Sequence, residues 1–315
     1  MEDSLLLVQS APPGCEAAAP LVLIHDGGGT AVSYFYLESL DRTVYAIQNP
    51  RFYSREPWLG GLPEMGRVYA CLIRRVVASG PLILGGWSLG GMLALEVANV
   101  LTRSSDIQVL GIAMIDSVHP LKVSAPSANV VPYQVEYSDS SRAETRELVA
   151  HCMNMAVAMA SSWVLPVWKG CPDQQLLQDR KELEATLSSR MPAEYSQVCD
   201  VTEMDVPWRD LPPPLPPTVL LRCNDYVPVH PAADNANPIA RVDVVREQEK
   251  LGWDDYGYDF ISVVLDIPGH HYNIFHKDHV SSRMPSFLPF ELHYLLTSII
   301  IRLARRRYVA SQTGV

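Results

Sequence analysis

Residues 85–91 read Gly-Gly-Trp-Ser-Leu-Gly-Gly, four glycines around a single hydroxyl. No other stretch restricts the fold so strongly. It follows the apolar run Leu82 to Leu84 and precedes a helical pattern from Gly91 to Leu101, in which Leu93, Val97, Val100 and Leu101 share one face. Gly86-x-Ser88-x-Gly90 in that strand-turn-helix setting has the form of a nucleophile elbow. So sharp a turn brings backbone segments too close together for Cβ atoms two residues before and after the serine. It also leaves the serine at a helix N-terminus, where N–H groups and the dipole favour developing negative charge.

The rest of the chain alternates between strand and helix patterns. Short apolar runs at Leu21 to Ile24, Val44 to Ile47, Leu82 to Leu84, Val109 to Ile115, Thr218 to Leu221 and Val263 to Ile267 lack in/out alternation. Strands buried on both faces of a parallel sheet read this way. With a helix expected over Leu62 to Ala78, the pattern implies an α/β architecture with a mostly parallel, doubly wound sheet.

From about Val118 to Pro217 the rhythm stops. Ser141-Arg142-Ala143-Glu144 has the form of a capping box, opening a helix whose Leu148, Cys152, Met155 and Met159 share a face. A second helix is expected from about Gln174 to Ser189. Pro212-Pro213-Pro214-Leu215-Pro216-Pro217 then forms a stiff polyproline II spacer before the next strand. The expected division is a core in two parts, 1–117 and 218–315, around a helical insertion, 118–217. The methionine face either fills the insertion's own core or lines an acyl channel beneath a lid, since Met adapts to irregular apolar shapes.

An activated serine needs a base and an acid, which in this fold follow in the order serine, acid, histidine. His270 and His271 stand just after the strand Val263 to Ile267, in "IPGHHYNIF", where such a base belongs. Asp116, ending the strand Val109 to Ile115, and Asp225, just after the strand Thr218 to Leu221, both qualify as the acid that orients it. Two backbone N–H groups must hold an oxyanion. Leu89 follows the nucleophile, and Gly27 or Gly28 in "IHDGGGT" follows the earlier strand. Trp87, beside the serine, with Met155 and Met159, is the candidate substrate-binding set. His276 and His279 make "HHYNIFHKDH" rich in histidine, but the spacing matches no common zinc pattern, and no metal is expected.

Composition limits the partners. A formal net charge of −10 opposes nucleic-acid binding, and the one basic run, Arg305-Arg306-Arg307, suits the end of a helix through Leu295 to Leu303. Six cysteines without C-x-x-C pairs, and no signal segment, lead to the expectation of a reducing, cytoplasmic setting. No apolar run approaches the roughly 20 residues of a membrane helix, so no membrane partner is expected.

Taken together, "LVLIHDGGGT", "VYAIQNPRF", "GGWSLGGMLALEVA", "MIDS", "LGWDDY" and "IPGHHYNIF" resemble the type I thioesterase domains of polyketide and non-ribosomal peptide synthases, the fungal polyketide ones especially, over roughly Pro20 to Leu303. The resemblance implies an α/β-hydrolase fold and a helical lid after the sixth strand. It favours Asp116 over Asp225 as the acid. It also favours His271 over His270 as the base, because the family's G-x-H-aromatic motif falls on Gly269 to Tyr272. The implied activity is release of an acyl chain from the phosphopantetheine arm of an acyl carrier protein, by hydrolysis or cyclisation, with no cofactor of the enzyme's own. One departure stands out. The chain begins at its own methionine and lacks a carrier motif of the L-G-x-D-S-L kind, so a free-standing enzyme acting in trans is expected. Two rival readings are a small-molecule carboxylesterase or lipase, whose HGGG loop "HDGGG" resembles, and a non-catalytic binding protein on the same fold.

Overall fold

A computed structural model of the protein describes residues 4–104, 106–120, 129–131, 141–190, 212–229 and 238–275. His276, His279 and the expected C-terminal helix with its Arg305-Arg306-Arg307 run lie outside the described residues.

The elements in chain order are β1 (Leu5–Gln9), β2 (Leu21–Ile24), β3 (Val44–Ile47), α1 (Gly61–Arg74), β4 (Gly80–Trp87), α2 (Leu89–Ser104), β5 (Ile107–Ile115), β6 (Val130–Val131), α3 (Ala143–Ser161), α4 (Gln174–Arg190), β7 (Thr218–Cys223), β8 (Ile239–Ala240) and β9 (Ile261–Ile267). Seven strands form the main sheet in the order β1-β3-β2-β4-β5-β7-β9, and β6 pairs with β8 in a small second sheet. All six apolar runs are strands of the main sheet and run parallel to one another. Among the described residues, no helix is long and apolar enough to cross a membrane.

The inner apolar runs lack alternation because the sheet is buried on both sides there; Val263 to Ile267 departs from the expectation, because β9 is an edge strand, with Val263 39% exposed and only Ile267 of that run buried. In β2, Val22 and Ile24 join the core beneath α1 and α2, while Leu21 and Leu23 join a second core on the other face; Leu82 and Leu84 against Ile83 divide in the same way in β4. Burial of this kind contributes about 25 cal/mol per Å² of apolar surface. The α1–α2 contact is so close that a Cβ at Gly66 would lie 2.5 Å from Glu96 Cβ.

The sequence gives no warning of β1. It is a half-buried edge strand, antiparallel to β3, with Leu7 53% exposed. A run with one wet face gives a weaker signal than one buried on both.

The described helices of the 118–217 insertion stand close to the expected positions, but the capping box does not form. The cap of α3 is Arg142, with no side-chain cap hydrogen bond, so Glu144 falls one position short of the reciprocal site. Packing fixes this helix instead, through buried Leu148, Cys152 and Ala156. α4 is mostly polar, and its inner face combines Leu183 and the buried Leu187, which pack on the main core, with charged side chains. Arg180 pairs with Glu96 of α2 at 2.6 Å and with Glu184 at 2.7 Å, and Glu184 pairs with Arg67 of α1.

Candidate active site

β2 and β4 pair in parallel as far as Ile24 opposite Gly86. Strand order reverses here, β3 lying on one side of β2 and β4 on the other, and ligands of open α/β sheets bind at the carboxyl ends of strands at such a switch point. Beyond this rung the strands splay, β2 into the glycine loop and β4 into the elbow. The Tyr34 hydroxyl bridges the gap, donating to Ile24 O at 2.6 Å and accepting from Trp87 N–H at 2.9 Å.

Ser88 follows β4 directly and has φ +56°, a left-handed conformation that a non-glycine residue adopts at a cost of order 1–3 kcal/mol. The flanking glycines are required. A Cβ at Gly86 would lie 2.5 Å from the Gly90 carbonyl carbon, and one at Gly90 would strike the Ile24 carbonyl. Asp116 follows β5 directly, also at positive φ, +44°, and His271 lies in the loop after β9.

Three of the sequence-derived candidates meet. In the tautomer that satisfies both contacts, His271 Nδ1–H donates to Asp116 Oδ2 at 2.8 Å while Nε2 accepts from Ser88 Oγ–H at 2.9 Å. His271 and Asp116 are buried, and the Trp87 ring packs 5.7 Å from the imidazole and 5.4 Å from Phe275.

The other candidates stand apart from this chain. Asp225 is exposed; its Oδ2 accepts from Gly269 N–H at 3.2 Å and its N–H donates to Gly269 O at 3.0 Å. It shapes the histidine loop rather than the imidazole. His270 does likewise, accepting from Tyr272 N–H through Nδ1 and donating its own N–H to Asn273 Oδ1. Met155 and Met159 pack against the main core, and the methionine of α3 nearest the glycine loop is Met153, whose Sδ would sit 3.0 Å from a Cβ at Gly27. Cys152 Sγ stands at the same distance from a Cβ at Gly29, so α3 lies directly on the glycine loop.

Of the two loop donors, Gly28 N–H already bonds Asp26 Oδ1 at 3.2 Å, which leaves Gly27 as the better partner for Leu89. Leu89 is the first residue of α2, where a backbone N–H has no partner within the helix.

Asp116 is the best-supported charge of the site. Oδ1 accepts from Cys223 N–H at 2.9 Å and Arg246 Nη1 at 2.5 Å, and Oδ2 accepts from Arg246 Nη2 at 2.9 Å besides His271. Burial alone would push its carboxyl up, but the hydrogen bonds from His271 and Arg246 outweigh it and hold the group well below the carboxylate range. Arg246 in turn donates through Nε to Asp243 Oδ1 at 3.0 Å. Trp253, in the "LGWDDY" motif, donates its indole N–H to Ser117 O at 2.7 Å and steadies the chain just past Asp116.

Two further groups border the glycine loop. Burial pushes the Asp26 carboxyl up to about 6, opposed by the nearby His271 charge and the Gly28 N–H. His25, pushed down to about 4 by burial, accepts from Tyr69 O–H at 2.7 Å through Nε2. Tyr34, Met153, Asp243 and Arg246 all escape a reading of the sequence. Only the i,i+3 spacing of Asp243 and Arg246 could have pointed to a pair, and nothing local ties that pair to Asp116.

The Thioesterase domain family matches residues 19–200. A probable thioesterase of Glarea lozoyensis, gloN, is 36% identical over 86% of this chain and 87% of its own. The thioesterase frbD of a Dothideomycetidae species is 33% identical over 84% and 85%. Among solved structures, the NocB thioesterase domain from the nocardicin cluster superimposes with a TM-score of 0.54 at 22% identity, covering 88% of this chain and 94% of that one, a likeness of fold. The fold, the elbow and these relatives agree: the chain belongs to the thioesterase-domain family of α/β hydrolases and is a hydrolytic enzyme.

Proposed function

We propose that the chain is a serine thioesterase that takes an acyl group from the phosphopantetheine arm of a carrier protein in secondary-metabolite synthesis, acting in trans. The observation that carries the reading is the unbroken chain from Ser88 Oγ through His271 to Asp116, 2.9 and 2.8 Å long, at the tip of a strained elbow.

In this reading Ser88 Oγ attacks the thioester carbonyl carbon while His271 Nε2 takes its proton. The tetrahedral oxyanion rests on the Leu89 and Gly27 N–H groups, each such donor contributing about 10²–10³ in rate. Collapse breaks the C–S bond, His271 returns the proton to the departing thiolate, and the acyl group stays on Ser88. Water, deprotonated by His271, then releases an acid, or a nucleophile within the acyl chain closes a ring. Asp116 holds the imidazole in the working tautomer and stabilises its cation. The inserted helices 118–217 act as the lid. Met153 and Trp87 border the acyl path, in keeping with α3 lying on the glycine loop.

The test is intact-protein mass after mixing with an acyl carrier protein loaded with a short acyl chain. An adduct of the acyl mass on Ser88, absent from Ser88→Ala, is the expected result. Product formation with no adduct, or an adduct that survives in Ser88→Ala, excludes the mechanism.

A further inference from the structure

Resting on the reading of Ser88, His271 and Asp116 as the reacting chain, we infer that Arg246, itself held by Asp243, is a positioning residue: it fixes both oxygens of Asp116 and offsets that carboxylate's charge beneath His271.

The geometry carries this. Without Arg246 each oxygen of Asp116 would keep a single donor, Oδ1 the Cys223 N–H and Oδ2 the imidazole, and a small rotation would carry Oδ2 away from Nδ1. Arg246 prevents it with two parallel N–H bonds, at 2.5 Å to Oδ1 and 2.9 Å to Oδ2. Such bidentate contacts specify orientation as well as energy. Arg246 is not free to turn either. Its Nε binds Asp243 Oδ1 at 3.0 Å, its Nη1 also donates to Cys223 O at 3.1 Å, and Asp243 Oδ2 accepts from Val227 N–H at 2.7 Å. All three charged groups are buried. The lattice of contacts runs from the loop after β8 through β7 to the end of β5, so the orientation of the imidazole is fixed by a segment remote in sequence.

Charge adds a second effect. Asp243, Arg246 and Asp116 together leave one net negative charge near the imidazole. Among the described residues, the other polar or titratable groups around His271 are Ser88 on the elbow, Asp26 on the glycine loop, Cys223 on β7, and His270 and Tyr272 in its own loop. None of them can replace the cation at Asp116. Without Arg246 the cluster gains negative charge, protonated His271 is stabilised, and the free base forms only at higher pH. Without the Asp243 charge the sign reverses.

The experiment is the second-order rate of Ser88 modification by a fluorophosphonate between about pH 5 and 9. It compares the full-length protein with Arg246→Gln, Arg246→Lys and Asp243→Asn, each checked for folding by circular dichroism. Arg246→Gln is expected to lose at least about tenfold at the plateau, less than the roughly 10⁴ that follows loss of the aspartate's charge in a triad. Its acid limb is expected to move up by about one pH unit. Arg246→Lys keeps the charge but not the fork, so its plateau falls and its limb stays. Asp243→Asn moves the limb down, and it decides the matter if Arg246→Gln does not fold. Folded variants whose limbs all coincide with that of the unsubstituted protein overturn the inference and reduce Arg246 to a structural ion pair. If Ser88 of the unsubstituted protein takes no label at any pH, the reading beneath it falls as well.

Discussion

Two buried arginine-carboxylate centres among the described residues differ in what their last lone pair reaches. In one, Glu96 gives both oxygens to Arg180, at 2.8 and 2.6 Å, and one of them also to the Trp163 indole N–H; Glu184 serves Arg180 and Arg67. Every contact there is to a group that keeps its proton at neutral pH. In the other, Arg246 clamps Asp116 in the same bidentate way, but Oδ2 is shared with His271, whose far nitrogen touches Ser88. The same ion-pair chemistry ties α4 to α1 and α2 in the first case and, in the proposed mechanism, aims a base at a hydroxyl in the second. Burial and charge do not distinguish structure from chemistry here; the presence of a titratable neighbour does.

Substitution breaks the comparison most sharply at the reacting chain. Asp116→Asn should cut kcat on an acyl-N-acetylcysteamine thioester by about 10⁴ while the protein remains folded. The counterpart, Glu96→Gln, leaves Arg180 with one formal partner fewer in a dry site. It should cost about 3–5 kcal/mol of stability in a urea melt, with kcat per folded molecule unchanged within about twofold. A loss of kcat in Glu96→Gln at full stability would show that the first centre is not purely structural.

The same centre has a pH signature. Burial pushes the Glu184 carboxyl up, but Arg180 and Arg67 outweigh it and hold it at about 2 against an ordinary 4.5. A depressed carboxylate contributes its stability in full above the unfolded value and loses it as pH falls toward the folded one. The urea midpoint should therefore fall from about pH 4.5 toward 2, and less so in Glu184→Gln. Two smaller effects refine the second centre. Tyr34→Phe removes the hydroxyl that spans Ile24 O and Trp87 N–H, and should lower kcat by about tenfold with a smaller change in KM, because the loop donors shift relative to Ser88. Asp26→Asn removes a negative charge near His271 and should move the acid limb of kcat/KM down by a few tenths of a pH unit. An upward shift would contradict the sign of that coupling.

What the sequence carried and what it withheld divide along physical lines. The six sheet strands and the elbow are local patterns, set by apolar runs, buried on both faces in the inner strands, and by glycines that a turn cannot do without. Ser88, His271 and Asp116 each end or follow a strand, so topology alone brings them near one another. The resemblance, not the spacing, chose between Asp116 and Asp225, which sequence logic leaves even; the exposure of Asp225 and its bonds to Gly269 supply the geometric reason. Arg246, Tyr34 and Met153 remained hidden because their partners lie far off in sequence, and an arginine, a tyrosine or a methionine carries no mark of where it packs. Of the methionine stripe expected to face substrate, Met155 and Met159 turn toward the core, while Met153, off that stripe, meets the glycine loop.

The measurement that bears most directly on the proposed function is turnover of a matched acyl-N-acetylcysteamine thioester and ethyl ester, with products identified by mass and Ser88→Ala as control. Ser88-dependent release that favours the thioester is the expected result, with the product mass telling free acid from ring. Equal or faster turnover of the ethyl ester, or thioester release that persists in Ser88→Ala, would contradict it.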